Sequence, residues 1–544
     1  MTKPYLLALK ILGGFLGLVL ITHVADFFSN SGAPRLFYAL YSINSDSLLN
    51  SIGSLAEVIT SLFGIIITVV AIIVNLSANR YTQKIIDIFI QEKLNIIVLS
   101  FFSITSLYGI WIINTVRGAS SLPAYAPHAQ VLIYMLLICV SIVMIVPYFY
   151  YVFHFLRPAH IISKIEKQII QLQNRALYSK KSAKRTQDLK PTIVKNIDQL
   201  AEICKSSVNN ADRSLALLSL TSLYDITETY INLKEDYLKQ HPGELPFNKE
   251  WYHNIEKYFL GLNKSIIEEL QNQRNWLEYK ILEEFESIFV YSLGKDSKIS
   301  YQTAINMTKL SVECIKNKDI ILLRDVIRFF NTLLHVSIKN GDTQNTLYVF
   351  YQYYLTAKSL INQIDELAGN DPKALVKNIA HYFKHYGQLG ESKQLDKVLE
   401  YSAYFLRLVN ERVYSRFKQN DPEFVEEMLN IFLTVDDIPR QKDDYEALLG
   451  VRQHQAILAS YYMVHHSDNY DPTPLLDKIY VDINKEPRDS DEKIENIANS
   501  ILDIKQETYF EIDNLGINPI YIKRQYKEQL KNFFTRFKGV TFNE

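Results

Sequence analysis

Cysteine is scarce. Cys139, Cys204 and Cys314 are the three in the chain, far apart, so neither a disulfide framework nor a zinc spacing follows. Glycine and proline are also few, at 18 and 16 in 544 residues, which suits a mostly helical chain. Net charge is nearly lacking, at -1, which argues against a general nucleic-acid binder. Neither GxGxxG nor GxxxxGK[ST] occurs, so nucleotide use has no support. His381 and His385 stand four apart on an expected helix, but Tyr382 follows His381 and HExxH fails. His465 and His466 beside Asp468 and Asp471 make a similar weak cluster. Asp482, Asn484 and Glu486 start like a calcium loop, but Pro487 holds the place of the required Gly and Lys493 that of Glu. Asp436, Asp437, Asp443 and Asp444 read as a solvated loop. The expectation is a protein that is not an enzyme and carries no cofactor or metal.

What is present is apolar length. The first ~155 residues are strongly apolar and the rest is polar and Lys/Glu-rich. Hydrophobic spans are expected at about 6–28, 57–79, 94–116 and 130–153, the last carrying Pro147. The first could be a signal peptide, since Lys3 and Lys10 precede an apolar run. No small-residue cleavage pattern follows in Thr22-His23-Val24-Ala25-Asp26, so an uncleaved helix is expected.

The second span has about 23 residues, roughly 34 Å of helix. Glu57, Ser61, Gly64, Thr68, Ala71, Asn75 and Ala78 follow at steps of four and three, which lines them along one helical face. The stripe has two readings. One is helix packing through small residues and Ser, Thr and Asn hydrogen bonds. The other is a water-filled ion path with Glu57 at its mouth.

Lys and Arg set the expected orientation. Arg80, Lys84 and Lys93 follow the second span, whereas Arg35 and Arg117 stand alone after the first and third. Ten basic residues lie between Arg157 and Lys195 against Glu166 and Asp188. Four crossings with both termini in the cytoplasm are expected. The segment from Arg80 to Lys93 suits a short interfacial helix.

The run Leu76-Ser77-Ala78-Asn79-Arg80-Tyr81-Thr82-Gln83-Lys84-Ile85-Ile86, followed by Phe89 and Glu92, resembles a bacterial family of predicted multi-pass inner-membrane proteins of unknown function. There the corresponding run is Ser-rich, then aromatic, Ser-Pro-Arg and two aliphatics, with a Phe before an acidic residue. Ser77 belongs to the Ser-rich part, Tyr81 takes the aromatic place, Thr82 the Ser, Lys84 the Arg, and Phe89 the Phe; Gln83 departs from Pro. His154 takes the place of a family His. The likeness covers roughly residues 50–160. It implies a bacterial inner-membrane location and no particular activity.

Ile162, Ile165, Ile169 and Leu172 sit at heptad spacing on a basic helix. That helix could form a coiled-coil seam between subunits, lie on the inner leaflet, or pack within the chain. Helix after helix follows. Asp371-Pro372, Asp421-Pro422 and Asp471-Pro472 each open one, with aliphatics at +4 and +8, and Asn518-Pro519 and Asp319 look like further copies. The spacing predicts repeats of about 50 residues from 319; an irregular helical domain is the alternative.

The expected fold is all-α. A four-helix transmembrane domain spans 1–156, basic amphipathic linker helices 157–200, and a cytoplasmic helical domain 201–544. Two functions remain. One is a membrane-anchored interaction or sensor protein with a cytoplasmic protein partner. The other is an oligomeric ion channel whose second span lines the pore. The bilayer is the expected partner in both, and a second copy of the chain in the channel.

Overall fold

The computed structural model describes residues 4–30, 45–80, 86, 89–90, 92–119, 128–178, 183–259, 261–367, 372–395, 397–437, 445–467, 470–485, 490–507, 518–537, 540 and 542. Helices dominate, and no strand occurs among the described residues. Two compact units divide the chain at Ile165 and Glu166.

The first unit is built on α1 (Pro4–Asn30), α2 (Ser45–Arg80), α3 (Lys93–Ala119) and α4 (His128–Phe155). Each holds a stretch long and apolar enough to cross a membrane: Lys10–Phe27, Asn50–Ala78, Lys93–Thr115 and Ala129–Phe155. In α2 the helix begins at Ser45, well before the apolar stretch the sequence marks out. α4 continues through Pro147.

α3 is central: α2 packs along it, and α1 lies against both α3 and α4. The core they share holds Ile52, Ala56 and Ile59 from α2, Tyr108 and Ile112 from α3, and Val131, Tyr134 and Ile138 from α4. Gly109 permits this approach. A Cβ there would run into the Tyr134 hydroxyl, with Tyr134 Cζ at 2.9 Å and Ala56 Cβ at 3.2 Å. Such small-residue contacts replace the hydrophobic drive that helices lack inside lipid. At the far end of α1, the fully buried Asp26 accepts a hydrogen bond from Ala129 N at 2.7 Å, capping α4 from a neighbouring helix.

After α5 (Pro158–Tyr178) come α6 (Ala183–Asn209), α7 (Arg213–Gln240), α8 (Lys264–Gln273), α9 (Trp276–Ser292), α10 (Ser297–Lys316), α11 (Ile320–Lys339) and α12 (Thr343–Asn362). α13 (Pro372–Ser392), α14 (Val398–Phe417), α15 (Pro422–Leu433), α16 (Tyr445–Val464), α17 (Thr473–Ile483), α18 (Ser490–Leu502) and α19 (Arg524–Phe534) complete the chain. The heptad residues Ile162, Ile165, Ile169 and Leu172 of α5 are all buried within the chain, so that seam is already covered.

The second unit is laid out in two rows. α6, α9, α11, α13, α15 and α17 form one row, each packed on the next. α7, α10, α12, α14, α16 and α19 form the other, and successive helices cross from row to row as antiparallel pairs.

Turn chemistry sets where the first-row helices start. Asp319 Oδ1 accepts from Leu322 N at 3.0 Å to cap α11, and Asp421 Oδ1 accepts from Phe424 N at 3.1 Å to cap α15. Pro372 opens α13, while Asp371 lies outside the described residues. Asp471 Oδ1 accepts from Thr473 N at 3.0 Å, and α17 starts there, one residue after Pro472. The +4 and +8 aliphatics Leu323 and Ile327, Leu375 and Ile379, Val425 and Leu429, and Leu475 and Ile479 are all buried.

Asn518-Pro519 departs from the expectation. It forms a turn, and the helix begins only at Arg524. Asn518 Oδ1 is taken by Ile520 N at 3.1 Å, and the Pro519 carbonyl accepts from Arg407 Nη2 at 3.3 Å, so these groups fold the chain back on α14.

Candidate functional site

The stripe of α2 lies on the outside of the chain. Glu57, Ser61, Gly64, Thr68, Ala71 and Asn75 are exposed. The face turned to α3 is instead aliphatic and small, with Ile52, Ala56, Ile59, Ile66, Val70 and Val74 buried. Beyond the helix's own backbone and the flanking residues, no atom of the described residues lies within 4 Å of the position a Gly64 Cβ would take, and Thr68 Oγ1 donates to Gly64 O at 2.9 Å, satisfying its hydroxyl within the helix.

Ala78 is the exception, at 3 % exposure. Steps alternating four and three average 3.5 residues, and a straight α-helix drifts about 20° per heptad against that repeat. Over the three heptads from Glu57 to Ala78 the line therefore turns about 60°, enough to carry its last member into the core. Glu57, in turn, is exposed, and the polar line is presented outward along most of the span.

Of the family-like motif, Ser77 is half-buried on α2, and Tyr81, Thr82 and Lys84 lie outside the described residues, as does most of the segment expected to form an interfacial helix. Phe89 is described and is 3 % exposed, edge-on to Phe155 at 5.6 Å. It belongs to a knot at the end of the bundle where α2 passes to α3. Asn95, buried, donates to the Phe89 carbonyl at 3.3 Å and accepts from Tyr148 Oη at 2.5 Å. Glu92 pairs with Lys164 of α5, whose ammonium sits 4.7 Å from the Phe155 ring centre. His154 lies ring to ring with His160 at 5.2 Å. These contacts join the α2–α3 passage, the end of α4 and the start of α5.

The second unit buries charge that the sequence pattern did not reveal. Asp436, expected in a solvated loop, is instead paired. Arg452 Nη2 donates to Asp436 at 2.7 Å, and its Nη1 donates to Asp482 and Gln455, each at 2.9 Å. The reason lies in position: Arg452 sits on the fully buried part of α16, and one guanidinium there needs two carboxylates to be satisfied. The polar run Arg452-Gln453-His454-Gln455, set between apolar stretches of one helix, was the signal available for it. Asp443 and Asp444 lie outside the described residues.

A second buried pair joins Lys234 of α7 to Glu278 of α9. Nearby, burial pushes Asp325 up to about 7 against the pull of Arg328, while Asn275 Nδ2 donates to it at 2.5 Å.

The histidines do not converge. His381 and His385 are exposed on α13. His465 Nε2 bonds Tyr526 Oη at 2.9 Å, and His466 Nδ1 the Met463 carbonyl at 2.8 Å. Among the described residues no group of three or more His, Cys, Asp or Glu side chains is placed to hold a metal.

Residues 4–211 match the family described as "Predicted membrane protein (DUF2254)", whose function is unknown. No curated protein and no solved structure matches the chain. The matched residues hold all four candidate spans and the knot around Asn95, and end at the turn after α6.

Proposed function

We propose that the protein is a non-enzymatic, membrane-anchored interaction protein of a bacterial inner membrane, with both termini in the cytoplasm and its two-row helical unit presenting a surface to a protein partner. The observation that carries this reading is the two-row packing. Side-chain hydrogen bonds join one hairpin to the next at near-constant sequence separation: Ser311 with Thr356 at 45, Gln453 to Ser500 at 47, Lys373 to Asp421 at 48, and Lys377 to Glu427 and Lys384 to Thr434 at 50. The capping aspartates Asp319 and Asp421 stand two such intervals apart, and Asp471 follows Asp421 by one. Both suit a helical repeat of about 50 residues, an architecture whose stacked units offer long continuous surfaces for recognition.

Proximity labelling from the full chain, compared with a chain ending after residue 211, tests the reading. Loss of a defined set of cytoplasmic neighbours on truncation is the expected result. An identical set from both chains refutes it.

A second reading rests on the outward stripe. A polar line facing lipid is costly, so lateral association of copies along α2, around a water-filled path or as a dry contact, would cover it. In a Cys139→Ser background, Ser61→Cys and Thr68→Cys should react with aqueous thiol reagents if the stripe is wet and Ile72→Cys should not. If they only cross-link between copies, the contact is dry. Failure of both, with Ile72→Cys behaving alike, would remove this reading.

A further inference from the structure

In the polar run of α16, Arg452-Gln453-His454-Gln455, all four side chains are buried. Three of them are answered. Arg452 donates to Asp436, Asp482 and Gln455, Gln455 Nε2 donates to Asp482 at 2.8 Å, and Gln453 Nε2 donates to Ser500 Oγ at 2.8 Å. His454 is the exception. It is 0 % exposed, and neither Nδ1 nor Nε2 meets a hydrogen-bond partner among the described residues. A neutral imidazole carries one N–H and one bare nitrogen, so a donor and an acceptor are both left unmatched in the interior.

The surroundings suit the uncharged ring. On α14 the Tyr404 ring lies 5.5 Å from the His454 ring, and the Arg407 guanidinium stands 5.3 Å from the same tyrosine ring. Two aromatic rings pack well while the imidazole is neutral. A proton on it would set a second cation beside Arg407. The groups that could answer that cation are engaged elsewhere. Glu411 of α14 accepts from Arg407 Nη1 at 2.5 Å, and Glu400 rests against Gly450, one turn back on α16. Asp482 of α17 accepts from Arg452, Gln455 and Lys485. Ser500 of α18 is taken by Gln453, and Tyr526 of α19 bonds His465. Burial first, and then the Arg407 charge, hold the His454 pKa well below the ordinary histidine value.

We propose that His454 is a proton-operated latch between α14 and α16, and that loading it with a proton releases the segment 518–537. That segment is docked on both partners of the contact. The Pro519 carbonyl accepts from Arg407 of α14 at 3.3 Å, and α19 packs along α16. A proton reaches the ring only when α14 and α16 part, and parting them takes away the segment's seat. The shut form excludes a proton that the open form accepts at about pH 6.5. The latch therefore holds above that pH and weakens as pH falls through it. For one such proton, the open population rises about tenfold from about pH 7.5 to about pH 5.5. Two buried carboxylates work the other way. Burial raises Asp436 and Glu411, so the folded form gains protons from them as pH falls. The His454 contribution is accordingly read as a difference between chains.

Amide hydrogen exchange on the full chain in nanodiscs, at about pH 7.5 and about pH 5.5 and corrected for the intrinsic rate, tests the latch. The comparison is with His454→Phe, which keeps a ring on Tyr404 and cannot titrate. Over that range, protection of α16 and α19 should fall about tenfold more in the unaltered chain than in the variant, while α6 behaves alike in both. His454→Gln should match His454→Phe. A further measurement needs no variant. Deuterium uptake at the imidazole C2 of His454 in the unaltered chain, read by mass spectrometry, should have its midpoint well below about pH 6.5. A midpoint at or above that value overturns the proposal. So does an equal pH response in all three chains, or a difference spread evenly from α6 to α19.

Discussion

Replacing Arg452 with Met should be the most damaging conservative-volume change in the second unit. The guanidinium, 3 % exposed at its side chain, donates to two carboxylates that are 7 % and 3 % exposed, Asp436 and Asp482. Methionine keeps the packing volume and removes every donor. Lys485 still reaches Asp482 at 2.5 Å, but Asp436 loses the Arg452 guanidinium that donates to it at 2.7 Å. Breaking one partner out of a buried ion pair costs about 3–5 kcal/mol. Because stability in a stacked helical array is local, the loss should fall on α15, α16 and α17.

Amide hydrogen exchange by mass spectrometry reads this directly. At 1.36 kcal/mol per factor of ten, protection of the α16 amides should fall by about a hundred-fold to a few thousand-fold. The pH sense is fixed too. Burial already holds Asp436 above the ordinary carboxylate range against the pull of Arg452. Without the arginine its folded pKa rises further, so the folded state binds a proton the unfolded chain does not. The variant should therefore lose least at low pH, with the defect growing as pH rises from the unfolded carboxylate value toward neutrality. Adding Asp436→Asn and Asp482→Asn should restore most of the protection. A loss below about 1 kcal/mol, or one spread evenly over the whole unit, would refute the argument, since exposed pairs have that small worth.

Other consequences can be measured alongside. Gly109→Val should cost about 1–3 kcal/mol or prevent assembly of the bundle through its clash with Tyr134; detergent-extractable yield and thermal unfolding report it, and Tyr134→Leu should give part of it back. Asp325, at about 7, binds its proton in the folded state over a range where the unfolded chain has lost it. Stability around α11 should therefore fall as pH rises from about 4 through 7, and Asp325→Asn should flatten that slope in exchange measurements at several pH values. Tyr148→Phe removes the hydroxyl that bonds Asn95 and should loosen the knot by about 0.6 kcal/mol; an unchanged melting profile together with unchanged exchange at the start of α3 would count against the bond.

The four spans were legible because apolar length is a one-dimensional signal, and the capping aspartates because Asp at a helix start acts over three residues. Which face of α2 packs was not legible. The polar stripe and the aliphatic face both run at helical spacing, and only the position of α3 decides between them. The drift that buries Ala78 needed the helix to be straight. Asn518-Pro519 misled because its local chemistry matches a helix start, whereas a distant group, Arg407, claims its carbonyl. Asp436 looked solvated among neighbouring acids because Arg452, its partner, stands sixteen positions away.

The stepwise bonding of hairpin to hairpin also has a mechanical meaning. Apart from the Arg407 bond to the Pro519 carbonyl, the hairpins of the second unit rest mainly on their immediate neighbours, so among the described residues tension applied at the C-terminus meets no single clasp that holds the whole. Drawn from that end, α19 would part from α16 first, and the array would peel one pair of helices at a time toward α6, giving a sawtooth of small, similar rips instead of one large event. Such an element yields by degrees under load and recovers by degrees when the load is released.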